Sequence, residues 1–336
     1  MTTSFVCIEF PSAVISGASK SGADYAMNEG DYCSQVAAAE ARPPHGTALE
    51  AELWLLIEYE RPWKAKALED NEFSAPVRAH LAELPAACAQ QGVSLRVQFI
   101  RRDSGSAEAR LLFADTRLAS CGLLEGRFES EEELLAINAS ELTHGRLPAG
   151  LGARSTDEEH FLVCTNGQRD VCCARFGLPL YRALRDQTDV PVWKTTHVGG
   201  HRYAPNLLCL PSGLMYGFVD ADRAPELVRA HAAKRVLPRM LRGRTCLSAA
   251  AQSAECFLRA HLGAEGEMAV LHDVQAGAGG TGDAHTVQLV FEHNGTRRQA
   301  TVTLRHEPEA EFAAASCGAA PKAIGRYELA ELVLGP

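Results

Sequence analysis

The alternation of apolar and polar positions divides the chain into two runs of similar order and a third of different character. In the first run, Glu52 to Tyr59 (ELWLLIEY) reads as a buried strand. Pro76 to Ala89 places Val77, Leu81 and Leu84 at helical spacing; Pro76 suits a first helical turn, and Pro85 predicts a kink or a break. Val93 to Ile100 (VSLRVQFI) alternates as a strand does, and Arg110 to Ala114 is another short strand. Ser130 to Ile137 reads as a helix opened by a capping box, with Ser130 at its start and Glu133 three residues on. The order β-α-β-β-α predicts a small α/β sandwich.

Residues 138–158, with Pro148, Gly150 and Gly152, read as a linker. The second run then begins. Phe161 to Cys164 is a strand, residues 174–186 a helix buried through Leu180, Tyr181 and Leu184, and Val190 to Thr195 a strand. Leu207 to Leu210 and Leu214 to Val219 flank Pro211-Ser212-Gly213, a hairpin signal, and Ala224 to Val236 is a helix with Pro225 in its first turn. The basic stretch Pro238 to Gly243 reads as a connector. Beyond it, Cys246 to Leu262 is a helix, Ala276 to Gly282 a glycine-rich loop, and Thr286 to Glu292 and Gln299 to Arg305 are strands joined at Asn294-Gly295. Tyr327 to Leu334 is a final strand or helix. At the other end, Asp31 to Ala41 forms a short helix that Pro43-Pro44 must stop, and residues 1–30 lack periodicity and read as a mobile extension. The expected organisation is an extension (1–30), an α/β domain (31–150), a second α/β domain (151–240) and an α+β segment (241–336).

Length agrees with several units, since 336 residues exceed what one core usually spans. A net charge of −9 argues against a general nucleic-acid binder, which needs a basic face. No apolar run reaches the roughly 18 residues of a membrane span. Phe5 to Ala18 is interrupted by Glu9 and Pro11 and lacks a preceding basic residue, unlike a signal peptide. The 11 cysteines are odd in number and dispersed, so most, Cys7, Cys33, Cys88, Cys121, Cys209, Cys246, Cys256 and Cys317 among them, are expected as reduced thiols. That implies a reducing compartment, by default the cytoplasm.

The candidate chemistry is concentrated in residues 160–219. Cys164 ends a strand, Cys172 and Cys173 stand at the entrance of a helix, and His197 and His201 (His-Val-Gly-Gly-His) follow the next strand. The ends of the two strands are expected to lie together, so the cysteines and histidines can meet. Gly199 and Gly200 would let both imidazoles face one ion. Zinc accepts two Cys and two His, but its usual cysteine pair has two to four intervening residues. Here seven or eight intervene, which better suits a larger, dinuclear cluster.

Cys164-Thr-Asn-Gly-Gln-Arg-Asp-Val-Cys-Cys173, Val192-Trp-Lys-Thr-Thr-His-Val-Gly-Gly-His-Arg-Tyr-Ala-Pro-Asn206 and Leu210-Pro-Ser-Gly-Leu-Met-Tyr-Gly217 resemble the sucrase/ferredoxin-like family. Tyr32-Cys-Ser34, His45-Gly-Thr-Ala48, Leu53-Trp-Leu-Leu-Ile-Glu58 and Pro62-Trp63 add weaker matches upstream, so the resemblance covers residues 31–219. It implies an α/β protein whose middle domain is a thioredoxin-like ferredoxin. The preceding domain shares its element order, which allows a thioredoxin-like fold there too. It further implies a 2Fe–2S cluster held by Cys164, Cys173, His197 and His201, with Cys172 as the alternative thiolate. The implied role is a one-electron carrier serving an unidentified redox partner protein, rather than an enzyme with its own substrate. Proton uptake on the histidines would accompany reduction. No paired-carboxylate motif supports sugar chemistry. The competing readings are a metal-free thiol–disulfide oxidoreductase using Cys164 with Cys172 or Cys173, which lacks the usual Cys-x-x-Cys, and a structural zinc module.

Around the ligands, Arg169, Asp170 and Arg202 are read either as tuning or docking residues or as loop salt bridges and caps. Trp193 and Tyr203 are expected in the core, and Lys194 in solvent. Cys33 and Cys317 are expected as buried thiols, and His144, His231, His261, His272 and His293 as surface or capping residues. The glycines at 277–282 lack the Lys-Ser/Thr of a phosphate loop.

Overall fold

The computed structural model describes residues 32–103, 109–278, 284–314 and 316–335. The expected extension at 1–30, Cys7 and most of the glycine-rich loop at 276–282 lie outside the described residues. The chain is mixed α/β, with a ten-stranded sheet and a separate four-stranded antiparallel sheet. The ten-stranded sheet is built from two runs of the same design.

In the first run, β1 (Leu53–Glu58), α2 (Ala75–Ala89), β2 (Leu95–Arg101), β3 (Ala109–Asp115) and β4 (Gly122–Phe128) follow a short α1 (Cys33–Ala39). β1 pairs in parallel with β2 and antiparallel with β3, and β4 pairs antiparallel with β3. β5 (Arg154–Thr156) adds to β4. In the second run, β6 (His160–Cys164), α4 (Val171–Arg185), β7 (Val192–Thr195), β8 (Leu207–Leu210) and β9 (Leu214–Tyr216) repeat the scheme, after a short α3 (Ala139–Thr143) and before α5 (Ala224–Ala232). β6 is parallel to β7 and antiparallel to β8, and β10 (Leu241–Arg244) closes the edge beside β9. Each half thus has the order second–first–third–fourth with its first two strands parallel, the thioredoxin-like arrangement. β2 and β7 pair antiparallel through Ile100–Thr195 and Arg101–Lys194, which joins the halves into one sheet.

Alternate strand residues face opposite sides of the sheet. Leu53, Leu55 and Ile57 of β1 pack with Val77, Leu81 and Leu84 of α2, and Phe161 and Val163 of β6 pack with Leu180, Tyr181 and Leu184 of α4. The intervening residues Trp54, Leu56, Leu162, Cys164 and Trp193 share a third core that spans both halves and includes Cys173. Burying apolar area at roughly 25 cal/mol per Å² makes that shared core a strong tie between the halves. α6 (Ala249–His261) covers the second sheet, formed by β11 (Val270–Ala278), β12 (Ala284–His293), β13 (Thr296–Ala314) and β14 (Pro321–Leu334). Asn294 and Gly295, both at positive φ, make the tight turn between β12 and β13.

Several elements differ from expectation. α2 runs through Pro85 unbroken, because Leu81, Leu84 and Cys88 on both sides of it are buried in one core. The expected linker at 138–158 contains α3 and β5, which gives the backbone of β4 a partner strand. Ser130 does form its capping box, but on a 3-10 turn, Glu131–Ala136. The second half of the expected connector at 238–243 is itself strand, part of β10. β4 and β11 are additional strands. Among the described residues no helix is long and apolar enough to cross a membrane.

Candidate metal centre

The parallel pairing of β6 and β7 brings Cys164 opposite Thr195, so both strands end on the same side of the sheet. Two residues past Thr195 comes His197. Across from it, Asp170 caps α4 by accepting from the Cys172 backbone N–H at 2.9 Å, which places Cys172 and Cys173 in the first turn of a fifteen-residue helix. There the helix dipole favours thiolate over thiol. Gly177 lets α4 approach this closely, since a Cβ at that position would run into the carbonyl oxygen of Cys164.

The result is a compact donor group. The Nδ1 of His197 lies 3.6 Å from Cys173 Sγ and 3.9 Å from Cys164 Sγ, and the three donor atoms all lie within 4.8 Å of one another. Cys164 and Cys173 are buried and His197 is half-buried. Cys173 donates to Cys164, which holds the Cys164 thiol well below the ordinary thiol range despite burial; His197 adds to the effect. Cys173, as the donor, is pushed upward. The two thiols thus stand in contact beside an imidazole, a donor set from which a metal would displace the protons.

His201 stands next to this group rather than within it. Its ring centroid is 5.1 Å from that of His197, and its Nε2 lies 3.7 Å from Asp170 Oδ2, within ion-pair range. Cys172 points elsewhere. Its sulfur is 3.6 Å from Cys33 Sγ and 3.3 Å from Cys317 Sγ, so the Cys164–Cys172 dithiol does not form. Of the two neighbouring cysteines, Cys173 is the one that stands with Cys164 and His197.

The loop between the histidines is held from below by Arg242. This guanidinium is 1% exposed and donates to Gly199 O at 3.0 Å, Asn206 Oδ1 at 2.8 Å, Thr47 Oγ1 at 3.1 Å and Thr47 O. Asn206 in turn donates to Gly200 O at 3.0 Å. Burial pulls Arg242 down to about 10, which leaves it cationic at neutral pH beneath the thiol–imidazole group. In the sequence Arg242 reads only as part of a basic connector. The usable signal was Asn206, inside the motif, whose amide nitrogen binds the loop at Gly200 while its oxygen accepts from Arg242.

The sequence-matching pattern of the sucrase/ferredoxin-like family covers residues 44–243, more than half of the chain. The chain belongs to the sucrase/ferredoxin-like family. The comparison with curated proteins returns no match. Among solved structures, a thioredoxin-like [2Fe-2S] ferredoxin from Aquifex aeolicus is similar at 21% identity, covering 26% of this chain and 91% of its own, with a TM-score of 0.23. A cysteine-to-serine variant of that ferredoxin matches at 21% identity over 25% of this chain and 96% of its own, again at 0.23. In this member of the sucrase/ferredoxin-like family, Cys164, Cys173 and His197 suit a thiolate–imidazole metal centre by donor type and convergence, and His201 is near enough to be a fourth candidate.

The remaining candidates divide clearly. Trp193 is fully buried and donates from Nε1 to His160 Nδ1 at 3.1 Å, as a core residue. Lys194 is not a solvated residue: its side chain is mostly buried and ion-pairs with Asp103. Asp170 is a helix cap, while Arg202 lies over the Tyr203 ring, 4.9 Å from its centroid. His231 is not on the surface either. Its Nδ1 is 2.6 Å from Glu159 Oε2 and its Nε2 3.6 Å from Cys209 Sγ, but Cys209 is fully buried and no substrate can reach that sulfur.

Proposed function

We propose that the chain is a one-electron carrier that holds a 2Fe–2S cluster on Cys164, Cys173, His197 and His201. The observation that supports this most directly is the convergence of Cys164 Sγ, Cys173 Sγ and His197 Nδ1 at the paired strand ends. A bound cluster of this kind supplies one-electron exchange, at a higher potential when two imidazoles replace two thiolates. The protein residues do the rest. The shared core excludes water from the two thiols. His197 turns Nδ1 toward the sulfurs, so it would bind a metal through Nδ1 and leave Nε2 as the distal nitrogen. Asp170 Oδ2 faces Nε2 of His201 at 3.7 Å, which leaves Nδ1 as the nitrogen that would bind a metal. Both distal nitrogens can therefore take up or release a proton as the charge of the centre changes. The expected setting is the cytoplasm, and the expected partner is a second redox protein.

Anaerobic purification followed by absorption and EPR spectroscopy tests this reading. A brown protein with an EPR signal on reduction is expected. A colourless protein that binds one zinc at Cys164 and Cys173 would refute it, and a reduction potential flat across neutral and alkaline pH would refute the proton coupling.

A further inference from the structure

Cys33, Cys172 and Cys317 come from three remote places: the first turn of α1, the first turn of α4 and the connection between β13 and β14. Their sulfurs nevertheless meet, with Cys172 Sγ 3.6 Å from Cys33 Sγ and 3.3 Å from Cys317 Sγ. Asp170 completes the group, with Oδ1 3.6 Å from Cys317 Sγ. Cys33, Cys172 and Asp170 are almost fully buried, and Tyr32, Phe176 and Ala204 wall the site.

We propose that Cys33, Cys172, Cys317 and Asp170 form a second metal site, separate from the first, for a tetrahedral zinc-class divalent ion. Two thiolates bound to one zinc at about 2.3 Å each stand roughly 3.8 Å apart, close to the spacings found here. Three thiols and a carboxylate are a donor set that zinc accepts, and soft thiolates select it over magnesium or calcium. Backbone donors are already aimed at the group: Cys33 N–H points at Cys317 Sγ at 3.4 Å, and Ser34 donates to Cys172. Asp170 accepts from Cys172 N–H through Oδ1 and from Cys317 N–H at 3.1 Å through Oδ2. Each carboxylate oxygen has two acceptor directions, so this orients the group without exhausting it. The α4 N-terminus adds a favourable field for the anionic set. A disulfide would use only two of the three thiols, would need an oxidant, and would leave the carboxylate without a role.

The site also lies partly outside the family pattern, since Cys33 and Cys317 fall beyond residues 44–243. An ion there would tie α1 and the β13–β14 connection to the end of α4 that carries Cys173. Asp170 would then bridge the two centres, because its Oδ2 also faces His201.

The test is metal analysis and cobalt titration of the full chain, reduced and anaerobic, with iron measured in the same samples. One zinc per chain is expected, replaceable by cobalt with the intense ligand-field bands of a tetrahedral thiolate site. Cys33→Ser and Cys317→Ser should each lose the zinc and the cobalt bands and keep the iron, whereas Cys121→Ser, at an exposed thiol, should keep both. The wild-type titration decides the question even if a variant fails to fold. Absence of zinc and cobalt uptake by reduced wild-type protein would overturn the proposal. So would cobalt bands that persist in Cys317→Ser but vanish in Cys164→Ser, which would place the ion at the first centre. A disulfide among Cys33, Cys172 and Cys317 in non-reducing peptide maps would overturn it as well.

Discussion

Gly199 and Gly200 separate the two histidines, yet they should tolerate alanine very differently. Both have positive φ, +82° and +66°, where a Cβ costs about 1 kcal/mol. At Gly199 that is nearly the whole effect, because the nearest atom to an added Cβ is Leu49 Cδ1 at 3.6 Å, an ordinary contact. At Gly200 the Cβ would stand 2.7 Å from Arg242 Cζ. That guanidinium cannot swing away. It is fixed by Thr47, Gly199 and Asn206, and Tyr203 packs against it with its ring centroid 5.0 Å away. Moving it sacrifices at least one hydrogen bond to a buried charge, about 1.5–3 kcal/mol. Gly200→Ala should therefore destabilise the protein by about 2.5–4 kcal/mol and Gly199→Ala by about 1 kcal/mol. Urea unfolding of the two metal-free variants side by side, followed by tryptophan fluorescence, measures the gap. Equal midpoints for the two variants would show that Arg242 does not brace the loop.

Three further outcomes follow from the same geometry. Cys173→Ser should abolish the iron chromophore while Cys172→Ser retains it, as read by absorption and iron analysis; the reverse result would exchange their roles. His197→Cys should keep the cluster and lower its potential in a redox titration, since an anionic ligand replaces a neutral one. His160, fully buried against Trp193, has its pKa pulled by burial from 6.5 to about 4. Between those values the unfolded chain binds the proton and the folded one does not, so stability is lost as pH falls from 6.5 to 4, by about 3 kcal/mol in all. Urea midpoints across that window should fall less steeply in His160→Gln than in the wild type, and parallel profiles would remove His160 from the account.

The elements that position the centre were legible because each carries a local signal. β6 and β7 are short apolar runs, and α4 shows its buried stripe at Leu180, Tyr181 and Leu184. What escaped depends on partners distant in sequence. β4 (GLLEGRF) alternates weakly, with Gly126 and Arg127 in its length, and becomes a strand because β3 and β5 flank it. β11 (VLHDVQAGA) is largely exposed and takes its register from β12. Arg242 looks like any basic surface residue until Thr47, Gly199 and Asn206 surround it.

The cysteine doublet shows the same limit at the scale of one side chain. Consecutive helical residues differ by about 100° in direction, so Cys172 and Cys173 had to face different surroundings once α4 was recognised. Which of them faced Cys164 was not contained in the helix itself. It depended on the angle at which α4 meets β6, set by the contact of Gly177 with Cys164, and on what fills the other side. That side is filled by Cys33, 139 residues away from Cys172, and by Cys317, 145 residues away. The residue left over from one donor set is thus the centre of another. Asp170, two positions before it, joins them by capping the helix through Oδ1 and facing His201 through Oδ2. A change at Asp170 should accordingly be felt at both groups, whereas a change at Cys317 should reach the first only through that carboxylate.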